Sequence, residues 1–261
     1  MVLLWPDVSH FKAASDQLHA APCVMQRLPT RLARNVGVNP YGADMDSIEL
    51  TDHELGRGME LRLEHRRALS DETDALVENW WVTGVLVGPD EDPGPDEAQL
   101  EVVQARLVRC PLGRPDLLMT LDGMEADLGA VGYAVLDDTG DIREDLSSVS
   151  GIGSYLLIVD SVTVDKRFAG REVGRWIVAE AVSALNAGVA LAAAIAAPLD
   201  GSQGAAREHA CEKLRAVWSS IGFVDVDTTG SDSVLVLNPE LKTTYARLQR
   251  LRNRFGVAAR S

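Results

Sequence analysis

Between Lys166 and Arg175 the chain carries four cations, Lys166, Arg167, Arg171 and Arg175, against one acid, Glu172, a local net of +3. The surrounding segment, residues 156–185, reads LLIVDSVTVDKRFAGREVGRWIVAEAVSAL. An apolar strand pattern runs into a turn holding Gly170 and Gly174, and the turn opens an amphipathic helix pattern. At such a junction free backbone N–H groups and the helix dipole can hold a phosphate, with arginines beside it. No GK[ST] ends the turn and no three-glycine pattern follows the strand, so neither a P-loop nor a dinucleotide fingerprint is present. Taken alone, an ordinary strand-to-helix turn with solvated arginines explains the same residues.

The positive spot sits in an acidic protein. The 261 residues include 25 Lys plus Arg and 39 Asp plus Glu, a net charge of −14. That balance argues against sequence-blind attraction to nucleic acid or anionic lipid by the molecule as a whole. With 46% hydrophobic and 25% charged residues the chain can bury a proper core. The length suits one large domain, or a domain with an extension. Cys23, Cys110 and Cys211 are far apart and odd in number, so they form neither a disulfide framework nor a metal spacing. His10, His19, His53, His65 and His209 form no metal spacing either. The apolar N-terminal patch is too short for a signal-peptide core, and the longest apolar run, 188–199, is short of the roughly 20 residues that span a bilayer. The expectation is a soluble, cytoplasmic protein without a metal.

These residues need elements to hold them. Residues 1–56 read as an N-terminal helical or irregular extension, with short helical patterns near 9–20 and 24–35 and a turn at Asn39-Pro40-Tyr41-Gly42. The stretch LPTRLARNVGVN has the look of the middle of a helix-turn-helix, but Pro40 and Gly42 interrupt any recognition helix. A cover packed on a larger domain is the better account of it. From Glu60 the pattern turns strand-like, and 80–87 (WWVTGVLV) is β-branched and aromatic. Residues 100–108 fit strand or helix by periodicity, and a hairpin with 80–87 favours strand. Asp122 is placed as a helix N-cap, with Met124, Leu128, Val131 and Val135 on one face. A strand over 155–164, a helix over 170–187, a buried strand over 189–196 and a helix over 205–221 follow. Short strands at 223–226 and 233–237 and a basic amphipathic helix at about 239–254 end the chain. The apolar stripe of that last helix is expected to pack on the domain or on a second subunit of a homodimer.

The central segment resembles the acyl-CoA-binding motif of the GNAT N-acetyltransferase superfamily, V-x-P-x-Y-R-G-R-G-I-G. Val164, Phe168, Gly170, Arg171, Val173 and Gly174 fall on its V, Y, G, R, I and final G. Downstream, LRAVWSSIGFVDV (214–226) resembles the second signature, L-Y-x-x-x-G-F, with Gly222 and Phe223 matching and Trp218 on the tyrosine position. The element order over 154–238 is also that of the family's second half. The resemblance implies an α/β (α+β) fold, a mixed, mostly antiparallel central sheet flanked by helices. Residues 57–261 would form that acyltransferase domain.

The resemblance also implies roles. Val162 and Val164 would lie on a strand that splays from its neighbour and offers its backbone to a pantetheine arm. The backbone of 169–174, which includes Ala169, Gly170, Val173 and Gly174, would receive the pyrophosphate, with Arg167, Arg171 and Arg175 nearby. An acyl group would pass from acetyl-CoA or another acyl-CoA directly to the amine of a small molecule or protein, with no covalent enzyme intermediate. Asp160 is the candidate general base, and a hydrogen-bonded structural acid is its equal alternative. Trp218 stands where the family keeps a general-acid tyrosine, but an indole N–H donates a hydrogen bond and no transferable proton. Ala169 stands where the family prefers Arg or Gln, and Glu172 where it prefers Gly. The Glu172 carboxylate would either repel the pyrophosphate or be held off it by Arg171 or Arg175. These departures keep a second class of function open, a non-catalytic acyl-CoA sensor or protein-interaction module. A third, a DNA-binding regulator acting through 24–45, is disfavoured by charge. The remaining acidity, including runs at 90–97 and 137–145, suits a cationic acceptor.

Overall fold

The computed structural model describes residues 50–66, 77–87, 99–199, 201–226 and 233–257. Contacts divide the chain into two units, Met1–Val36 and Gly37–Ser261, and every described residue belongs to the second. The two helical patterns at 9–20 and 24–35, the turn at 39–42 and the acidic run at 90–97 lie outside the described residues.

Seven strands form one sheet in the order β1-β2-β3-β4-β5-β7-β6. The hairpin-linked strands β1 (Met59–Arg66), β2 (Glu78–Leu86) and β3 (Leu100–Pro111) are antiparallel, and β3 pairs antiparallel with β4 (Tyr155–Val164). Residues 100–108 are therefore strand, paired with β2 as the hairpin argument expected. β4 pairs β5 (Val189–Ile195) in parallel, the one parallel pair among the described residues, and that pairing requires the crossover helix α4 (Val173–Leu185) between them. β5 then pairs antiparallel with β7 (Val234–Leu237), which carries the two-residue edge strand β6 (Val224–Asp225). This mixed, mostly antiparallel sheet flanked by helices is the architecture the resemblance implied.

Helices cover both faces. Period-2 alternation sends Leu157, Val159, Ala192, Ala194, Leu235 and Leu237 to one side and Leu156, Ile158, Leu191, Ala193, Val234 and Val236 to the other. The first side packs against α4, α5 (Gly204–Ile221), α6 (Lys242–Arg254) and Leu55 of the short α1 (Asp52–Gly58). The second packs against α2 (Leu117–Met124) and α3 (Ala126–Val135). α4 owes its place to Val173, Trp176, Ile177, Ala181 and Leu185, which recur at helical spacing and are buried.

Two expectations about helices resolve differently. Asp122 does not cap a helix: it lies inside α2, and Glu125, with extended backbone (φ −156°, ψ 144°), is the residue preceding α3. Leu117 and Leu121 already form a buried i, i+4 pair ahead of Asp122, so packing starts the helix earlier than the capping signal suggested. The expected face of Leu128, Val131 and Val135 is buried, on α3. For the C-terminal helix, Leu248, Leu251 and Arg252 of α6 are buried within the domain, facing α4 and α5. No helix among the described residues is long and apolar enough to cross a membrane.

Candidate functional site: a groove where two parallel strands part

β4 and β5 stay paired only as far as Val159 and Ala194, while β4 runs on for five more residues to Val164. The open stretch of β4 forms one wall of a groove closed on the other side by α5. Two cavities lie along it. One, about 470 Å³, is lined by residues 159–164 of β4, by Ile195, Ala197, Pro198 and Leu199, and by Lys213, Leu214 and Trp218. The other, about 430 Å³, runs on to the N-terminus of α4, where Ala169, Gly170, Glu172, Val173, Gly174 and Arg175 line it. Val162, Val164, Leu214 and Trp218 belong to both walls, which makes the two cavities neighbours along one groove.

A β-bulge sets what faces the groove. Arg106 of β3 stands opposite Ser161, but the next residue, Leu107, stands opposite Val159, so Asp160 is an extra residue with no partner across the ladder. A bulge of this kind re-aims side chains. It switches the phase of β4, so that Val162 and Val164 pack toward the α4–α5 side together with Leu157 and Val159. The phase change is cheap because 156–159 are apolar on both faces.

The Asp160 side chain is 7% exposed, and its Oδ2 lies 3.4 Å from the Arg106 guanidinium. Arg106 is shared: it also donates to the Glu125 carboxylate and, at 3.1 Å and 3.3 Å, to Asn79 Oδ1. Burial pushes the Asp160 carboxyl above the ordinary aspartate range, and Arg106 offsets this only in part while Glu125 adds to it. Asp160 thus holds a proton more readily than an exposed aspartate. Sequence reasoning named Asp160 but missed Arg106 and Glu125. The available signal was a lone arginine between Ala105 and Leu107, in a strand that buries both neighbours.

At the far end, residues 166–168 form a short 3₁₀ turn and Gly170 takes φ 78°, open to a glycine and strained for other residues. The Ala169 and Arg171 N–H groups are used within the turn, on the Lys166 and Phe168 carbonyls. The first helical bond of α4 runs from Trp176 N–H to the Glu172 carbonyl, and no side chain caps the helix. The N–H groups of Val173, Gly174 and Arg175 precede that bond, so they have no acceptor within the helix. Gly174 is also a packing requirement, because a Cβ there would stand 2.7 Å from Val164 Cγ2. The helix start can approach β4 this closely only as glycine.

The arginines are occupied. Arg167 grips Asp165 through contacts of 2.9 Å and 2.8 Å, Arg171 bonds Asp52 at 3.0 Å and the Leu50 carbonyl, and Arg175 pairs with Glu172 and donates to Ser220 Oγ at 2.7 Å. Of the expected cofactor residues, Val162, Val164, Ala169, Gly170, Val173, Gly174 and Arg175 meet in the groove wall, whereas Arg167 and Arg171 stand outside it. Glu172 is held by Arg175 and by Arg254, the last residue of α6. Neither Arg254 nor Asp52 was visible as part of this turn, since both are brought to it from the far ends of the domain.

No family model and no curated protein matches the chain. Among solved structures it is similar to the crystal structure of AtaTR bound with AcCoA, at 11% identity and a TM-score of 0.34. That match covers 69% of this chain and 95% of the other.

Trp218 stands where the two cavities meet. Its side chain is buried, tilted against Phe223 with ring centroids 5.7 Å apart. Its Nε1–H is buried without a hydrogen-bond partner among the described residues. A buried donor left unpaired costs about 1–3 kcal/mol, and other atoms of the Trp218 side chain line both cavities.

Proposed function

We propose that the chain is an N-acyltransferase that takes an acyl group from an acyl-CoA held between β4, α4 and α5 and passes it directly to an amine. The parting of β4 from β5 beside the uncapped start of α4 carries this reading. Trp218 lines the cavity on each side, and its buried indole N–H lacks a partner among the described residues; a ring shift that turned it to the groove would let a thioester or amide oxygen, or a thiolate, supply one. The unpaired edge of β4 at 160–164 offers backbone groups to an extended arm, and the uncapped α4 N-terminus offers N–H groups to a pyrophosphate.

The proposed reaction balances as follows. Asp160 accepts one proton from the acceptor ammonium, the freed amine nitrogen attacks the thioester carbonyl, and the carbon–sulfur bond breaks while the nitrogen gives up a second proton to water, leaving a neutral amide and CoA thiolate. The raised proton affinity of Asp160 brings its basicity nearer that of the proton it must take. Trp218 would hold the leaving sulfur by a hydrogen bond without giving up its proton, so the second nitrogen proton reaches the thiolate through water. Glu125 and Asp127 add negative potential beside Asp160, which suits a cationic acceptor.

The missing acid at position 218 and the paired arginines favour one other reading, an acyl-CoA sensor. Calorimetry with acetyl-CoA, followed by thiol release across a panel of amines, separates the two. Binding with thiol release supports the enzyme, binding without it the sensor, and no binding at millimolar ligand removes both. Trp218→Phe deletes the donor and is expected to weaken acyl-CoA binding about three- to tenfold, with a fall in melting temperature from the smaller ring measured alongside. Unchanged affinity would remove Trp218 from the site.

A further inference from the structure

Among the described residues Glu172 is the one non-glycine residue in the left-handed region, at φ 66°. Its carboxylate belongs to the residue at the head of α4, where the helix dipole and open N–H groups attract an anion. Left there, the side chain would occupy the place that the proposed function gives to the pyrophosphate. Instead it is divided between Arg175 and Arg254. Arg254 is not part of the groove wall, and its Nε is fixed at 2.9 Å by Asp52, whose other oxygen bonds Arg171 at 3.0 Å. The result is a row of alternating charge, Arg171, Asp52, Arg254, Glu172 and Arg175, with three cations against two acids.

We infer that Arg254 is a positioning residue that keeps the α4 N-terminus open to a phosphate by drawing the Glu172 carboxylate off it. Asp52 aims Arg254 for this task. The chain thereby tolerates an acid in a turn that must accept an anion, and it does so with a residue from the opposite end of the domain. This rests on the acyl-CoA reading and assigns to that site a residue remote from the ligand.

The test is a double-mutant cycle. CoA, and separately inorganic pyrophosphate, are titrated calorimetrically into the full chain as wild type, Glu172→Gln, Arg254→Ala, Arg254→Lys and the Glu172→Gln/Arg254→Ala pair. Arg254→Ala is expected to weaken binding about tenfold, because the carboxylate is freed to compete. Arg254→Lys, which keeps the charge, is expected to bind near wild type. The double variant is expected to bind as Glu172→Gln does. Structural damage from losing the Asp52 contact would persist in the double variant, so rescue by Glu172→Gln isolates the positioning role. A loss that persists in the Glu172→Gln background, or no loss in Arg254→Ala, overturns the inference. Pyrophosphate binding without CoA binding would sink the acyl-CoA reading while leaving the cycle intact. Binding of neither would overturn both.

Discussion

Asp160 shows how one inserted residue changes chemistry. Burial is the largest influence on its carboxyl and acts upward, Arg106 opposes it, Glu125 and Asp127 reinforce it, and a hydrogen bond from Ser161 lowers it slightly. In its proposed role as base Asp160 must be ionised to act, so the rate is expected to rise with pH through a value above the ordinary aspartate range. Asp160→Asn should abolish that limb and lower turnover by about 10²- to 10⁴-fold while changing CoA affinity little, as steady-state rates and calorimetry will read. The linkage sign follows from the same shift. An acid whose folded pKa is raised contributes stability that is complete below the unfolded pKa and is lost as pH rises through the folded one. Denaturation between those limits should show this slope in wild type and not in Asp160→Asn. Asp160 and Trp218 were legible as candidates because each sits in a strongly patterned element. Arg106 was not, because it reaches Asp160 from 54 residues earlier, and only the β3–β4 register joins them.

At the scale of elements, the site depends on how close the start of α4 lies to the open end of β4. Gly174→Ala would put a methyl against Val164, a stiff β-branched side chain on a strand that cannot easily retreat. Chemical denaturation is expected to show a loss of about 1–3 kcal/mol, with CoA binding weakened because α4 is pushed off the groove. Wild-type stability in this variant would mean that α4 is free to shift without cost. The strands β4, β5 and β7 and the helices α4 and α5 were readable from their periods, and so was their order. The break between α2 and α3 was not. Gly123 weakens a helix without by itself ending one, and at the boundary Gly129 approaches so closely that a Cβ there would stand 2.6 Å from Asp122 Oδ1. The bulge was equally silent, since the apolar run 156–159 accepts either phase.

For the whole molecule, the local +3 between Lys166 and Arg175 is a property of the linear chain. In space Asp165, Asp52 and Glu172 answer three of its arginines, and Arg254 adds a cation from the C-terminal helix. No one-dimensional window could show this. α6 is also anchored in the core, where Arg252 binds both Glu180 oxygens at 2.7 Å and 2.6 Å and Trp176 Nε1–H donates to the same carboxylate at 3.1 Å. Arg252→Met, which leaves the Glu180 carboxylate without its counter-charge, is expected to cost about 3–5 kcal/mol in denaturant unfolding. Adding Glu180→Met should recover most of that loss, and failure to recover would show that packing rather than charge was removed.

Because α6 ends on the turn that opens α4, its last residues can report on a ligand bound at that turn without touching it. Arg250, Arg252 and Arg254 are each cleavage points for a trypsin-like protease, and Arg252 and Arg254 are tied to Glu180 and Glu172. Cutting there requires the helix end to open, and whatever binds the closed form alone makes opening rarer. Saturating CoA is therefore expected to slow cleavage within α6 several-fold, measured by mass spectrometry as the rate at which products cut after Arg250, Arg252 and Arg254 appear. An equal rate with and without CoA would mean that α6 opens independently of the turn.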